Sequence, residues 1–193
     1  MPSPAVQEKV PNLIAELRRD KNTKIFVHAG RISEAKNQFA LCRAFDRLIR
    51  NNEDVVLLIA GPNDNQSIFN QLQSYFSDKI IYLGLRSDII DLMAYSDAMC
   101  LPSLWEGLPV VLLEAISVGC IPICSPVGGI IDVVDDGYNG ILSKSSSEDD
   151  YYHALNKFLD MSDSQIVEMK MNAMRSFKNY DIVHTTQKYL DTI

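Results

Sequence analysis

A chain of 193 residues that is 47% hydrophobic and 22% charged has the composition of a soluble globular protein, long enough for one ordinary domain with a real core. Its net charge of −7 argues against general nucleic-acid binding, and no apolar run approaches the ~20 residues of a membrane span. Residues 1–9 lack the apolar core of a secretory signal, so a cytoplasmic protein without a direct membrane span is expected.

The charge is uneven: residues 1–86 are slightly basic and residues 87–193 strongly acidic. A basic first half favours a phosphate ligand, although a solvated helix face explains it as well. Cys42, Cys100, Cys120 and Cys124 match no zinc spacing. The last three sit in apolar runs, as buried, inert thiols do.

In chain order, residues 13–19 form a helical stretch and residues 24–30 (KIFVHAG) a buried strand that ends at glycine. Residues 36–50 follow as an amphipathic helix, with Phe39, Cys42, Phe45 and Ile49 on one stripe. Residues 54–60 (DVVLLIA) make a second strand stopped by Gly61-Pro62, then come a helix over 68–76 and a strand over 79–83. Ser87-Asp88 starts a helix over 89–95, and strands over 98–101, 120–124 and 140–142 flank an apolar helix over 109–118. Helices near 148–159, 164–177 and 182–190 close the chain.

Alternation of this kind, with continuously apolar strands, implies a parallel sheet covered on both faces. Right-handed crossovers make it a single doubly wound, Rossmann-like α/β domain with six strands, mainly parallel. The chain divides into a helical lead-in (1–23), this domain (24–162) and terminal helices (163–193). Ligands of such sheets bind at the carboxyl ends of the strands, where the loops 30–36, 61–66, 84–87, 102–109 and 125–129 hold nearly all the unusual residues.

The strongest constellation is Pro102-Ser103-Leu104-Trp105-Glu106-Gly107-Leu108-Pro109 followed by an apolar helix carrying Glu114. Pro109 suits the first turn of that helix, and Gly107 permits close backbone approach. Free amides of Leu108, Val110 and Val111, with the positive end of the helix dipole, form an anion site suited to phosphate. Glu114 sits among Val110, Val111, Leu112, Leu113, Ala115 and Ile116 on a helix expected to be buried. An unpaired carboxylate there costs several kcal/mol, so a ligand with vicinal hydroxyls such as ribose is one reading; a glutamate that reaches solvent or pairs with a cation is the other.

Arg31 and Lys36 lie in the loop after the first strand and suit a diphosphate, or are ordinary loop cations. Gly128-Gly129 either brings amides near a ligand or makes a plain tight turn, and His28 fits a satisfied core histidine better than a catalytic one. GxGxxG after the first strand, a P-loop, a nucleophile elbow and a paired-histidine motif are all missing, which weakens dinucleotide oxidoreductase, NTPase, hydrolase and zinc readings.

Taken in order, Gly30-Arg31 with Lys36, Ile59-Ala60-Gly61, Tyr82-Leu83-Gly84, Asp97, Pro102-Ser103, Glu106-Gly107-Leu108-Pro109, Glu114-Ala115, Gly119, Gly128-Gly129, Gly137 and Gly140 give the chain a specific resemblance. It resembles the group 1 glycosyltransferases, a family that includes sucrose and bacterial glycogen synthases and many capsule and lipopolysaccharide enzymes. Glu106 and Glu114 repeat that family's Glu-x7-Glu spacing, and the match runs over residues 24–159.

The resemblance implies the carboxyl-terminal, donor-binding half of a two-domain GT-B enzyme. It implies that Arg31 and Lys36 hold the diphosphate of a UDP-, GDP- or ADP-sugar and Glu114 its ribose. Gly30, Leu85 and Arg86 would approach the nucleotide, with backbone at Leu85 and Arg86 meeting the base. Glu106, with Gly107, Leu108, Pro109, Val110 and Gly129, would meet the donor sugar and phosphates. Transfer would retain anomeric configuration and use no metal and no cofactor, with a saccharide or lipid-linked acceptor bound largely by an amino-terminal domain. Only about 23 residues precede the first strand, so little transfer is expected of this chain alone, and any peripheral membrane contact would come through that other domain.

Asp132 stands where the family often carries glutamate after Gly-Gly. A stand-alone nucleotide-sugar-binding or interaction module is the alternative. A phosphorylase or sugar-nucleotide epimerase fits less well: phosphorylase needs a lysine for pyridoxal phosphate, and none lies between Lys79 and Lys144.

Overall fold

Strands rich in Val, Ile and Leu with no polar alternation must be buried on both faces, and the sheet is built that way. The structure, a computed structural model, describes residues 9–18, 22–51 and 53–180. The terminal helix expected near 182–190 lies outside the described residues.

The strands are β1 (Lys24–Ala29), β2 (Val55–Ala60), β3 (Ile80–Gly84), β4 (Ala98–Leu101), β5 (Ile121–Cys124) and β6 (Ile141–Leu142). They form one sheet in the order β3-β2-β1-β4-β5-β6, every pairing parallel. This is the doubly wound order, in which the chain reverses its direction of travel between β1 and β4 and leaves a crevice beyond their carboxyl ends. Among the described residues the α-helices are α1 (Lys9–Leu17), α2 (Gln38–Arg50), α3 (Gln66–Leu72), α4 (Ile89–Tyr95), α5 (Val110–Ser117), α6 (Glu148–Leu159) and α7 (Asp163–Phe177).

Two apolar layers hold the helices to the sheet. On one face α2, α3 and α6 pack around Phe26, whose ring meets Phe45 and Phe158 edge-on at centroid distances of 5.1 and 5.4 Å. Such edge contacts add ~0.5–1.5 kcal/mol each beyond area burial. On the other face α1, α4 and α5 cover Ile25, Val27, Leu58 and Met99. α7 bridges the layers: Ile166 and Met169 join the first and Ala173 the second.

Val10 and Ile14 of α1 are core residues, and Arg18 donates to Asp97 at 2.8 Å, while Asp97 also accepts the Ile25 amide. The expected boundaries at 23 and 162 therefore divide the chain but not its core.

Three helix limits differ from expectation for local reasons. The helix expected over 36–50 is split: Glu34–Lys36 is a 3-10 turn, Asn37 takes the left-handed conformation (φ 51°), and α2 starts at Gln38. Asn37 tolerates that conformation and spends its side-chain amide on the carbonyls of Pro102 and Ser146. Residues 66–75 form α3 and a separate 3-10 turn in place of one helix. Pro109 is the N-cap of α5, not a residue of its first turn, because its backbone is extended (ψ 117°). α5 is also not buried all round, since Val110 at its start is 67% exposed.

Candidate functional site

The loops after β1, β2 and β3 are laced together by backbone bonds that shape a cavity at the carboxyl edge of the sheet. Gly30 N donates to Ala60 O, Gly61 N to Gly84 O and Ile32 N to Pro62 O, each at 2.8–2.9 Å. Gly61 has φ 147°, and a Cβ there would lie 2.0 Å from the Gly30 carbonyl oxygen, so only glycine lets the two loops touch.

The cavity has a volume of about 710 Å3 and is walled by the ends of β1 and β2, by residues 85–91, and by Val111 and Glu114 of α5. Of the residues singled out in sequence, Gly30, Arg31, Leu85, Arg86 and Glu114 line it. Glu114 is half-buried, and its carboxylate has no hydrogen-bond or ion-pair partner among the described residues. Among the described residues no cation lies within ion-pair distance of it, and it lines the cavity together with Arg31 and Arg86.

Arg31 is largely exposed, 3.8 Å from Asp64 in a loose pair. Arg86 is held as a two-pronged fork on Asp88 at 2.7 and 2.6 Å, which fixes the turn after β3 and leaves Leu85 projecting at 78% exposure.

Glu106, Lys36, Gly107, Leu108, Pro109, Val110 and Gly129 do not line that cavity; they form a second cluster at the crevice between β1 and β4. Lys36 Nζ donates to Glu106 Oε1 at 2.5 Å, and Ser103 Oγ donates to the same oxygen at 2.6 Å. The two clusters meet at Gly30, which lines the cavity and carries the Lys36 aliphatic chain across its Cα.

The β4 loop rests on the β5 loop. Gly128 (φ 52°) is so close that a Cβ would sit 1.8 Å from the Glu106 carbonyl oxygen, and Gly129 N donates to Gly107 O at 2.9 Å. The Gly129 amide is thus engaged with the protein, and the glycine pair serves the packing of the two loops. Trp105, Leu108 and Val110 project from the β4 loop and the start of α5, each more than half exposed. Asp132 is exposed, and its carbonyl, not its carboxylate, takes the Tyr180 hydroxyl at 2.6 Å.

His28 is a satisfied core residue. Its Nδ1 lies 2.9 Å from Cys100 O and its Nε2 3.1 Å from the Gln38 side-chain amide, and burial pushes the imidazole down to about 4. Burial pushes the Cys42 and Cys100 thiols up to about 12 and raises Cys120 and Cys124 further, as inert core thiols require. Among the described residues, no His, Cys, Asp and Glu side chains gather in the manner of a metal site. No helix among them is long and apolar enough to cross a membrane.

Two contributors were not singled out in sequence as site residues. Ser103 is fully buried and shares Glu106 Oε1 with Lys36. Gln38 is fully buried beneath the loop of Arg31 and Lys36. Its signal was a polar residue at the head of the stripe Gln38, Leu41, Cys42, Phe45, a spacing that faces the core.

In sequence and in fold the chain is similar to known proteins. The family model described as glycosyl transferases group 1 matches residues 9–176. The chain is 31% identical over 177 residues to the Escherichia coli UDP-Gal:alpha-D-GlcNAc-diphosphoundecaprenol alpha-1,3-galactosyltransferase, covering 89% of this chain and 45% of that protein. It is 30% identical over 134 residues to the Campylobacter jejuni N,N'-diacetylbacillosaminyl-diphospho-undecaprenol alpha-1,3-N-acetylgalactosaminyltransferase, covering 69% of this chain and 35% of the relative. The chain thus spans less than half the length of these two relatives. Among solved structures, Anabaena HepE in complex with UDP-glucose superposes with a TM-score of 0.82 at 22% identity, over 99% of this chain and 53% of that one. A glycosyltransferase from Rickettsia africae gives 0.84 at 18% identity, over 99% and 52%.

Proposed function

The chain belongs to the group 1 glycosyl transferases, and from that premise we propose that it is the donor-binding domain of an enzyme that transfers a sugar from a nucleoside diphosphate to a saccharide or lipid-linked acceptor. The observation that carries the proposal is the half-buried, unpaired Glu114 on the wall of a cavity of about 710 Å3, next to a cationic loop. A carboxylate in that setting calls for a polar ligand, and a ribose diol supplies two donors to its two oxygens.

In this reading the base lies against the backbone at Leu85 and Arg86, the ribose on Glu114, and the diphosphate between Arg31, Lys36 and the amides at the start of α5. The donor sugar reaches Glu106 and the loop Gly107–Leu108–Pro109–Val110, with Gly129 supporting that loop from behind. The departing nucleoside diphosphate gathers negative charge as the glycosidic bond breaks. Two cations, sheltered Lys36 and exposed Arg31, and a helix N-terminus stabilise that charge in place of a metal, and no cofactor is involved. UDP is the donor nucleotide favoured by the E. coli relative, whose name specifies UDP-Gal. The α-linked products in both relatives' names, set beside an α-linked donor, favour retention of configuration.

The described domain supplies one wall of a cleft. An acceptor-binding domain must supply the other to hold the nucleophile and exclude water, so the domain alone binds donor without effective transfer. A cytoplasmic enzyme, touching the membrane through its acceptor domain, fits the undecaprenol-linked substrates in the relatives' names. Calorimetric titration with UDP, GDP, ADP and their sugars tests the proposal. Binding of at least one is expected, and binding of none would refute a donor site.

A further inference from the structure

Gln38 opens α2 directly under the loop that carries Arg31 and Lys36, and its side chain is 1% exposed overall. Its Oε1 lies 3.3 Å from Ser33 N, its Nε2 2.7 Å from Arg31 O and 3.1 Å from His28 Nε2. Only one orientation of the amide satisfies all three neighbours. Ser33 N–H is a donor, so the oxygen must face it; Arg31 O is an acceptor, so the NH2 must face that.

The same NH2 then meets His28 Nε2, which has to be a bare lone pair. The imidazole proton is forced onto Nδ1, where it donates to Cys100 O at 2.9 Å. A continuous chain of hydrogen bonds therefore runs from the Arg31 carbonyl through Gln38 and His28 to the β4 backbone, two residues before Pro102. Asn37 makes a second tie from the same loop to Pro102 O, and Leu104 N donates to Ala35 O at 2.8 Å.

We propose that Gln38 is a positioning residue for the donor diphosphate: by holding His28 as the neutral, Nδ1-protonated tautomer it locks residues 31–36 to β4, so that the backbone carrying Arg31 is fixed at the cavity and Lys36 is preorganised opposite Glu106. The inference rests on the donor-site reading. The loop bears both cations of the site, and a loop free to wander would have to be ordered at each binding event, at a cost in affinity. Charge reinforces the arrangement. Lys36 opposes a positive imidazole, Glu106 favours one, and the burial of His28 decides for neutrality.

Two variants and two readouts test this on the full chain with UDP as probe. Gln38→Leu keeps the volume and removes the three bonds; UDP affinity should fall about tenfold or more while unfolding stays cooperative. In that background Arg31→Ala should add little, because the loop it sits on is already loose. Gln38→Glu keeps the shape and replaces the donor with an oxygen; 15N spectra should then show His28 acquiring a second proton, at Nε2, near neutral pH. In the unsubstituted, ligand-free protein the same spectra should show Nδ1 protonated and Nε2 bare. His28 protonated at Nε2 in the ligand-free protein, or full UDP affinity in Gln38→Leu, would overturn the proposal. Absence of UDP binding by the unsubstituted protein, with the tautomer as expected, would instead refute the donor-site reading on which it stands.

Discussion

Lys36 and Glu106, 70 residues apart in sequence, meet at 2.5 Å across the line where the sheet reverses from β1 to β4. Each brings the other its counter-charge in the ligand-free protein, so a diphosphate entering the crevice adds negative charge to a cation that is already paired. In the proposed donor site the carboxylate would then turn toward another partner, the hydroxyls of the donor sugar.

That arrangement separates the two cations of the first loop. The Lys36 side chain is 18% exposed and that of Arg31 72%. Lys36→Met should lower UDP affinity by about 10–100-fold, the range for losing a charge-assisted hydrogen bond in a sheltered site. Arg31→Ala should cost less than about fivefold, and that loss should fade as salt rises because exposed charge is screened. Calorimetry at low and high salt checks both, and an equal response to salt would contradict the assignment.

Glu114 carries a prediction specific to ribose. Glu114→Ala should weaken UDP about tenfold or more, while 2′-deoxy-UDP should lose much less, since one hydroxyl partner is already gone. Asp150, which caps the turn before α6 through the Ser145 hydroxyl, lies away from the cavity, and Asp150→Ala should leave UDP binding unchanged. Equal effects at Glu114 and Asp150 would refute the role of Glu114.

At two glycines of positive φ the loops of the site also have no room for a methyl group. Gly61→Ala and Gly128→Ala each place a Cβ within 2.0 Å of a carbonyl oxygen at a backbone angle that favours glycine. Each should cost ~2 kcal/mol or more in urea unfolding, from the positive φ and the displaced loop together. Gly128→Ala should in addition reduce binding of UDP-sugar more than of UDP, because the group it displaces is the Glu106 backbone.

His28 gives stability a defined pH dependence. Its folded value, pushed by burial from 6.5 down to about 4, lies below that of the unfolded chain, so unfolding takes up a proton between the two. The contribution of the neutral imidazole is therefore complete above pH 6.5 and is lost as pH falls toward 4, by about 3 kcal/mol in all. Urea midpoints of the protein and of His28→Asn, compared from neutral pH downward, should converge. A constant gap across that range would contradict the burial of a neutral His28.

Much of this architecture was legible in sequence because two signals are strong at short range. Continuous apolar runs such as 55–60 permit little other than a strand covered on both faces, and the strand–helix alternation then leaves few topologies. Glu114 was conspicuous for a comparable reason, a carboxylate within an apolar run. What stayed hidden depends on contacts remote in sequence. The split before α2 rests on Asn37 reaching Pro102 and Ser146, and no local propensity encodes those partners. The Lys36–Glu106 pair likewise needs β1 and β4 side by side. For Gly128-Gly129 the composition allowed either amides near a ligand or a tight turn, and the close approach to the Glu106–Gly107 backbone was not encoded locally. The exposed start of α5 was hidden because hydropathy cannot distinguish a helix sunk in a core from one whose end faces a crevice.

The central position of β1 has a consequence for how the site comes into being. β1 pairs with β2 at a separation of 31 residues, Phe26 beside Leu57, but its register with β4, Phe26 beside Ala98, closes a loop of 72 residues. Loop closure of that span is slow and rewarded late, so a half of the molecule built on β3-β2-β1 can assemble before β4 docks. A sheet limited to β3-β2-β1 would hold Arg31 and Lys36 without Glu106 or Glu114, and so only part of the proposed donor site. If the proposed donor site is right, a nucleotide sugar stabilises by mass action the finished sheet and no state that lacks β4.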